Sequence, residues 1–141
     1  MIEINNLTTV SVDEEFLKKI AKEVLEWEKK KEDLSIALVG QGRIRELNKK
    51  YRKKNRVTDV LVFPGDGLGE IVICLREVKK NAKRYGETFK KELARVLIHG
   101  ILHLLGYDHE KSELDAEKMR EKEEYYLTSL KIKNLWLSQR L

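Results

Sequence analysis

Apolar and polar positions alternate along the chain with two different periods, which predict strands in some segments and helices in others. Strands are predicted at four short apolar runs: 2–7, 34–39, 57–63 and 70–75. Helices are predicted where apolar residues recur every three or four positions: 12–30, 43–51, 77–85, 88–105 and 112–130. Ser11 and Glu14 have the spacing of a capping box, so the first helix is expected to begin directly after Ser11.

The segment 88–105 has the densest apolar content in the chain and is apolar on more than one face. A helix of that kind is buried rather than exposed at the surface. The pattern therefore predicts an α+β fold class, in which a small mixed or mostly antiparallel sheet packs on this central buried helix. Because the chain has 141 residues and neither an internal repeat nor a flexible linker, we expect a single domain, 1–141.

Composition narrows the class of protein. Hydrophobic residues make up 41% of the chain and charged residues 38%, which suffices for one core beneath a heavily charged surface. No run approaches the roughly 18 apolar residues of a membrane span, and the N-terminus lacks the pattern of a secretory signal. The lone Cys74 cannot form an internal disulfide and is expected to be a small core residue. We therefore expect a cytoplasmic protein without a membrane partner.

All three histidines of the chain lie within one segment, HGILHLLGYDH. His99 and His103 are one helical turn apart, so both imidazoles project from one face of the predicted helix. Gly106 can adopt the left-handed conformation of a sharp reversal, which would return His109 to the same face. Three imidazoles around one Zn²⁺ per chain leave a fourth position for water, as in catalytic sites. The alternative is a set of ordinary histidines on an amphipathic helix.

The spacing of these histidines equals that of the metzincin signature, H-E-x-x-H-x-x-G-x-x-H, with one departure. Gly100 stands where the metzincin peptidases have the glutamate that acts as general base on the zinc-bound water. A metzincin-like zinc helix is therefore expected, whereas peptidase chemistry is disfavoured. A zinc metallopeptidase is kept as the weakest alternative.

The same motif resembles that of the YbeY-type endoribonucleases, which are ribosomal RNA maturation factors. The resemblance rests on four blocks in the order of that family: LNKKYRKK (47–54), TDVLVFP (58–64), GEIVIC (69–74) and HGILHLLGYDH (99–109). It implies a metal-dependent hydrolase that cleaves single-stranded RNA, matures the 3′ end of small-subunit ribosomal RNA and takes part in ribosome quality control. His99, His103 and His109 would be the zinc ligands, Arg52 the catalytic arginine, and the small ribosomal subunit the partner.

Basic residues are concentrated next to the predicted arginine. The chain has 29 Lys and Arg against 24 Asp and Glu, and six of the eight residues in KKYRKKNR (49–56) are basic. We expect this stretch to contact RNA phosphates through Lys49, Lys50, Lys53, Lys54 and Arg56. A second stretch at 79–84, together with 90, 91 and 95, would extend the groove. The alternative is a solvated basic face. Tyr51 is expected to pack inward, with stacking on an RNA base as the alternative.

Two acidic residues are expected near the predicted ligands: Asp59 precedes a strand expected to lie near the zinc helix, and Asp108 is next to His109 in the sequence. Asp59 and Asp108 could each orient a ligand histidine by accepting the hydrogen of its free ring nitrogen. Each is equally compatible with a turn. A further alternative for the whole chain is a ribosome-assembly module without catalytic activity, in which zinc only anchors the C-terminal part of the fold.

Overall fold

The computed structural model describes residues 1–129. Its elements follow in this order: β1 (Ile2–Asn6), α1 (Glu14–Trp27), β2 (Leu34–Val39), α2 (Gln41–Arg52), β3 (Val60–Phe63), β4 (Gly69–Cys74), α3 (Leu75–Tyr85), α4 (Phe89–Leu104) and α5 (Glu113–Thr128). The predicted end of the last helix at residue 130 lies outside the described residues. Within residues 1–129, no helix has the length and apolar character needed to cross a bilayer.

The four strands form one mixed sheet in the order β1-β2-β4-β3. β2 pairs in parallel with β1 and with β4, whereas β3 pairs antiparallel with β4. The sheet confirms the predicted α+β class with a mixed sheet. β3 therefore forms one edge of the sheet, and it is the edge beside which the functional residues lie.

Both faces of the two central strands are buried, as is usual for parallel strands covered by helices. Ile36 and Ile71 are register partners on the face that packs against α1, α3, α4 and α5. Val39 and Cys74 lie on the opposite face, where Ile44 of α2 joins them. α4 and α2 consequently pack on opposite faces of the sheet.

Helix α4 is the central buried helix that the sequence predicts. Its N-cap residue Thr88 accepts a hydrogen bond from the backbone N–H of Lys91 at 3.1 Å, and most of the helix is buried. The helix ends at Leu104, and Gly106 follows with φ +101°. The predicted left-handed glycine is therefore present at the place where the chain reverses.

Three local predictions are wrong. The N-cap of α1 is Asp13 and not Ser11: its Oδ1 accepts the backbone N–H of Phe16 at 3.0 Å. Strand β3 begins at Val60, three residues later than the apolar run suggests. Tyr51 does not pack inward, since 57% of it is exposed; Asn48 occupies the buried position on that face of α2.

Candidate active site

A cleft of about 680 Å³ opens beside the β3 edge of the sheet. Four parts of the chain line it: the C-terminal end of α2, the residues from 58 to 64, the second half of α4 and the loop that follows α4. Arg52, Asp59 and the three histidines all line this one cleft. The fold thus brings together residues from opposite faces of the sheet, because α2 and α4 both reach the same edge.

The three imidazole rings converge within the cleft. The ring centroids are 6.2 Å apart for His99 and His103, 5.3 Å for His99 and His109, and 5.8 Å for His103 and His109. The first two lie one turn apart on α4, whereas the third comes from the loop after the reversal. The sequence-predicted gathering of the three rings on one side of α4 is therefore found in the structure.

The loop that carries His109 is fixed by hydrogen bonds on both sides of the reversal. The backbone N–H of Gly106 donates to the His103 carbonyl at 3.1 Å, and that of Tyr107 donates to the Leu102 carbonyl at 3.0 Å. The Tyr107 hydroxyl then donates to Glu28 Oε1 at 3.1 Å. Residues from α1 and α4 together hold the segment immediately before His109.

The distances between the three ring centroids are slightly longer than those around a shared metal ion. Three imidazole nitrogens at 2.0–2.1 Å from one tetrahedral ion place their ring centroids roughly 5 Å apart, against 5.3–6.2 Å between these rings. Within residues 1–129, no set of three or more His, Cys, Asp and Glu side chains forms a ready-made metal group. The imidazole donor set suits zinc, and the rings would have to approach one another by no more than about 1 Å.

His99 has a partner that sequence reasoning missed. Its Nδ1 forms a hydrogen bond with Glu123 Oε1 of α5, and Glu123 is 9% exposed. Burial alone would lower the pKa of His99, but the hydrogen bond and charge of Glu123, with the charge of Asp59, raise it above its ordinary value. One signal was present in the sequence: Glu123 shares the buried face of α5 with Met119, Tyr126 and Leu127.

The two acidic residues that the sequence singled out lie in different surroundings. Asp59 lines the cleft, and its Oδ1 lies 3.5 Å from the Thr58 hydroxyl that donates to it. Asp108 lines a separate cavity and accepts the backbone N–H of Glu110 at 2.8 Å, which shapes the loop. Among the hydrogen bonds of the described chain, neither Asp59 nor Asp108 contacts a histidine ring.

Aromatic side chains line the cleft next to Arg52. The rings of Tyr51 and Phe63 meet edge to face with centroids 5.2 Å apart, and both residues line the cleft. Lys50 Nζ lies 5.2 Å from the centroid of the Tyr51 ring. The exposed position of Tyr51 therefore places an aromatic surface and two cations side by side.

The first basic stretch is exposed, and in the described residues its positive charges form no ion pairs with acidic side chains. Across residues 1–129, no ion pair involves the basic side chains of this stretch: Lys49, Lys50, Arg52, Lys53, Lys54 and Arg56. The second stretch differs, because four of its cations pair with acids: Lys80 with Glu77, Lys90 with Asp13, Lys91 with Glu87, and Arg95 with Glu124. None of the second set lines the cleft, and among the basic residues of the first stretch only Arg52 does, so the extension of the groove stays a prediction.

The family of the chain is decided by comparison with known proteins. The family model described as Endoribonuclease YbeY matches residues 3–131. The chain belongs to the YbeY endoribonuclease family. A YbeY endoribonuclease of Thermodesulfovibrio yellowstonii is 51% identical over 106 residues, which cover 70% of this chain and 67% of that protein. One of Carboxydothermus hydrogenoformans is 44% identical over 140 residues, which cover 92% of this chain and 97% of the relative.

The fold agrees with that of a solved structure. The solution structure of TM1509 from Thermotoga maritima matches with a TM-score of 0.72 and 38% identity, covering 99% of this chain and 92% of that one. Membership of the YbeY family confirms the resemblance that the four sequence blocks indicate, and with it a nuclease within the hydrolase class. The metallopeptidase alternative is set aside, since Gly100 offers no general base.

Proposed function

We propose that this YbeY endoribonuclease cleaves single-stranded RNA with one zinc ion held by His99, His103 and His109 and with Arg52 as the catalytic arginine. Its physiological substrate is the 3′ region of small-subunit ribosomal RNA, where it serves maturation and ribosome quality control. It works as a single domain, 1–141, in the cytoplasm and meets its substrate on the small ribosomal subunit. The observation that carries the proposal is the convergence of three imidazoles and an unpaired arginine on one cleft.

The histidines supply the binding site for the ion. Their rings come from two successive segments, α4 and the loop behind Gly106, and both are held by backbone hydrogen bonds. Zinc in a three-imidazole set acts as a Lewis acid toward a phosphoryl oxygen and activates water near neutral pH. A ligand set without a carboxylate keeps the full charge of the ion available to an anionic substrate.

In this proposal Arg52 holds the scissile phosphate, and its surroundings support that role. It is the last residue of α2, it is exposed, and no acidic side chain of the described chain neutralises it. A planar guanidinium donates two parallel hydrogen bonds to phosphate oxygens and stabilises the charge that develops on them during the reaction. The neighbouring lysines add a field that attracts the RNA backbone, with Lys49, Lys50, Lys53, Lys54 and Arg56 as phosphate contacts.

Preference for an unpaired strand follows from the aromatic surface. Tyr51 and Phe63 present ring faces and edges in the same cleft as the histidines. An unstacked base can lie on such a surface, whereas a base within a duplex cannot reach it. The arrangement fits an enzyme that grips bases with aromatic rings and phosphates with cations, without reading base edges.

The nucleophile is either water or the 2′-OH of the RNA. Gly100 has no side chain that could accept a proton, so the glutamate base of the peptidases has no counterpart at that position. Analysis of the product ends distinguishes the two routes, because attack by the 2′-OH leaves a 2′,3′-cyclic phosphate. Attack by water leaves a linear phosphate from the first turnover.

The proposal is tested with an end-labelled single-stranded RNA and four proteins that have been incubated with zinc: wild type, His103→Ala, Arg52→Ala and Arg45→Ala. We expect His103→Ala to lose both zinc and cleavage. Arg52→Ala should keep zinc and lose about 10²–10³-fold in rate. Arg45 is exposed on α2 but does not line the cleft, so Arg45→Ala should cleave normally. Undiminished cleavage by both His103→Ala and Arg52→Ala would refute the proposed site.

A further inference from the structure

Glu123 lies on the buried face of α5, the helix that follows the histidine motif in the chain. Its side chain is 12% exposed, and its Oε1 forms a hydrogen bond with Nδ1 of His99. A carboxylate in such a place loses most of its hydration and therefore requires a hydrogen-bonding partner. His99 is that partner.

The surroundings of Glu123 are otherwise acidic. Asp59 and Glu92 line the same cavity of about 150 Å³ as Glu123. Arg95 and His99 are the basic residues that also line this cavity. Arg95 pairs with Glu124 at 2.7 Å and with Glu92 at 3.5 Å. Because the Arg95 guanidinium is engaged by these two carboxylates, the imidazole is the group that Glu123 binds directly.

The hydrogen bond determines which ring nitrogen of His99 carries the proton. A carboxylate accepts hydrogen bonds, so the partner nitrogen Nδ1 bears the hydrogen and Nε2 keeps its lone pair. A metal ion is bound by a ring nitrogen with a free lone pair, and a carboxylate behind the other nitrogen holds the ring in place. The hydrogen bond from Glu123 of α5 therefore leaves Nε2 of His99 available to bind a metal ion.

We propose that Glu123 is a positioning residue, which fixes the tautomer and orientation of His99 and thereby couples α5 to the metal site. The inference rests on the proposed role of His99 as a zinc ligand and deepens it. Neither Asp59 nor Asp108, the two acids that the sequence suggests for this role, makes such a bond in the described part of the chain.

The test compares Glu123→Ala and Glu123→Gln with Glu124→Gln. Glu124 is the neighbouring acid on α5; its side chain is 59% exposed and contacts Arg95 instead of His99. Zinc affinity is measured by competition with a chromophoric chelator, and the ring tautomer of His99 in the metal-free protein by ¹⁵N NMR. Thermal unfolding shows that each variant is folded.

We expect Glu123→Ala to bind zinc about 10–100-fold more weakly than wild type and to lose the preference for the Nδ1–H tautomer. Glu123→Gln should retain part of both, since an amide oxygen also accepts the hydrogen and preserves the shape of the side chain. Glu124→Gln should behave as wild type. If Glu123→Ala does not fold, the same comparison is made with Glu123→Gln.

Two results would overturn the inference in different ways. Wild-type zinc affinity and an unchanged tautomer in a folded Glu123 variant would refute the role of Glu123, while loss of zinc in His103→Ala would leave the metal site itself intact. Zinc retained at full affinity by His103→Ala would refute the metal site, and the role of Glu123 with it.

Discussion

Gly100 faces Ile71 of β4 so closely that a β-carbon at position 100 would lie 3.0 Å from Ile71 Cγ2 and 3.2 Å from its Cδ1. Both residues are buried where α4 crosses the sheet. At the position where the metzincin peptidases carry the general base, this protein has a glycine, which allows α4 to pack closely against β4. A glutamate at 100 would point into the core and away from the histidine cleft.

Adding one methyl group at Gly100 is expected to destabilise the protein. Overpacking a core costs about 1–3 kcal/mol, and alanine recovers about 1 kcal/mol through its helix propensity. Gly100→Ala should therefore lower the free energy of unfolding by about 1 kcal/mol in urea titrations. Gly100→Glu should cost more than about 3 kcal/mol, because it buries an unpaired charge, and should not create peptidase activity.

Gly42 provides the matched control for this substitution. It also lies in a helix, but a β-carbon there would meet nothing within 4 Å. Gly42→Ala should raise the free energy of unfolding by about 0.5–1 kcal/mol. A Gly100→Ala protein as stable as Gly42→Ala would contradict the close contact with Ile71.

Glu28 connects α1 to α5 and to the loop before His109. Tyr107, Tyr126 and Lys122 all donate hydrogen bonds to its carboxylate, whose side chain is 12% exposed. Burial alone would raise the pKa of Glu28, but these donors outweigh it and hold the pKa below its ordinary value. The ionised carboxylate therefore stabilises the folded protein.

The stabilisation by Glu28 should depend on pH. A lowered pKa in the folded state gives a contribution that is complete above the unfolded pKa of about 4.3 and that disappears as the pH falls through the folded pKa. Glu28→Gln should lower the free energy of unfolding by about 1–3 kcal/mol at pH 7. The difference from wild type should shrink below about pH 4, as followed by urea titration. Glu26→Gln, at an exposed position of α1, serves as control. A difference that is independent of pH would refute this role.

Tyr51 should contribute to RNA binding by stacking. Stacking of one base on an aromatic ring contributes about 1–3 kcal/mol, so Tyr51→Ala should weaken binding of a single-stranded oligonucleotide roughly 5–150-fold. Tyr51→Phe should bind nearly as wild type. Since Tyr51 is 57% exposed, the melting temperature should change little. Fluorescence anisotropy measures the affinity, with Tyr85→Ala as the exposed aromatic control. Equal affinity of wild type and Tyr51→Ala would exclude stacking.

The basic stretch should determine the salt dependence of RNA binding. Each phosphate contact on a single strand contributes about 0.7 to the slope of log affinity against log salt concentration. The double variant Lys53→Gln/Lys54→Gln should therefore reduce the slope by about 1.4. Lys22→Gln changes an exposed lysine of α1, outside both basic stretches, and should leave the slope unchanged. An identical slope in the double variant would place the RNA elsewhere.

Most of the elements and the histidine motif could be predicted from local patterns in the sequence. Strand β2 has the predicted bounds, Leu34–Val39, because a continuous apolar run between polar segments is a local signal. The spacing of His99, His103 and His109 around Gly106 is equally local, since a helical turn and one left-handed glycine suffice to bring the rings together.

The side chains that surround those rings depend on how the helices and strands pack against one another. The bond between His99 and Glu123 joins α4 to α5, and the contact between Tyr51 and Phe63 joins α2 to β3. The pairing of Lys90 with Asp13 likewise depends on how α4 packs beside α1. Such contacts arise where different elements pack together, so they cannot be predicted from the spacing of residues along one segment. The spacing of the histidines is therefore a local feature of the sequence, whereas the side chains that contact their rings are brought there by the packing of the folded chain.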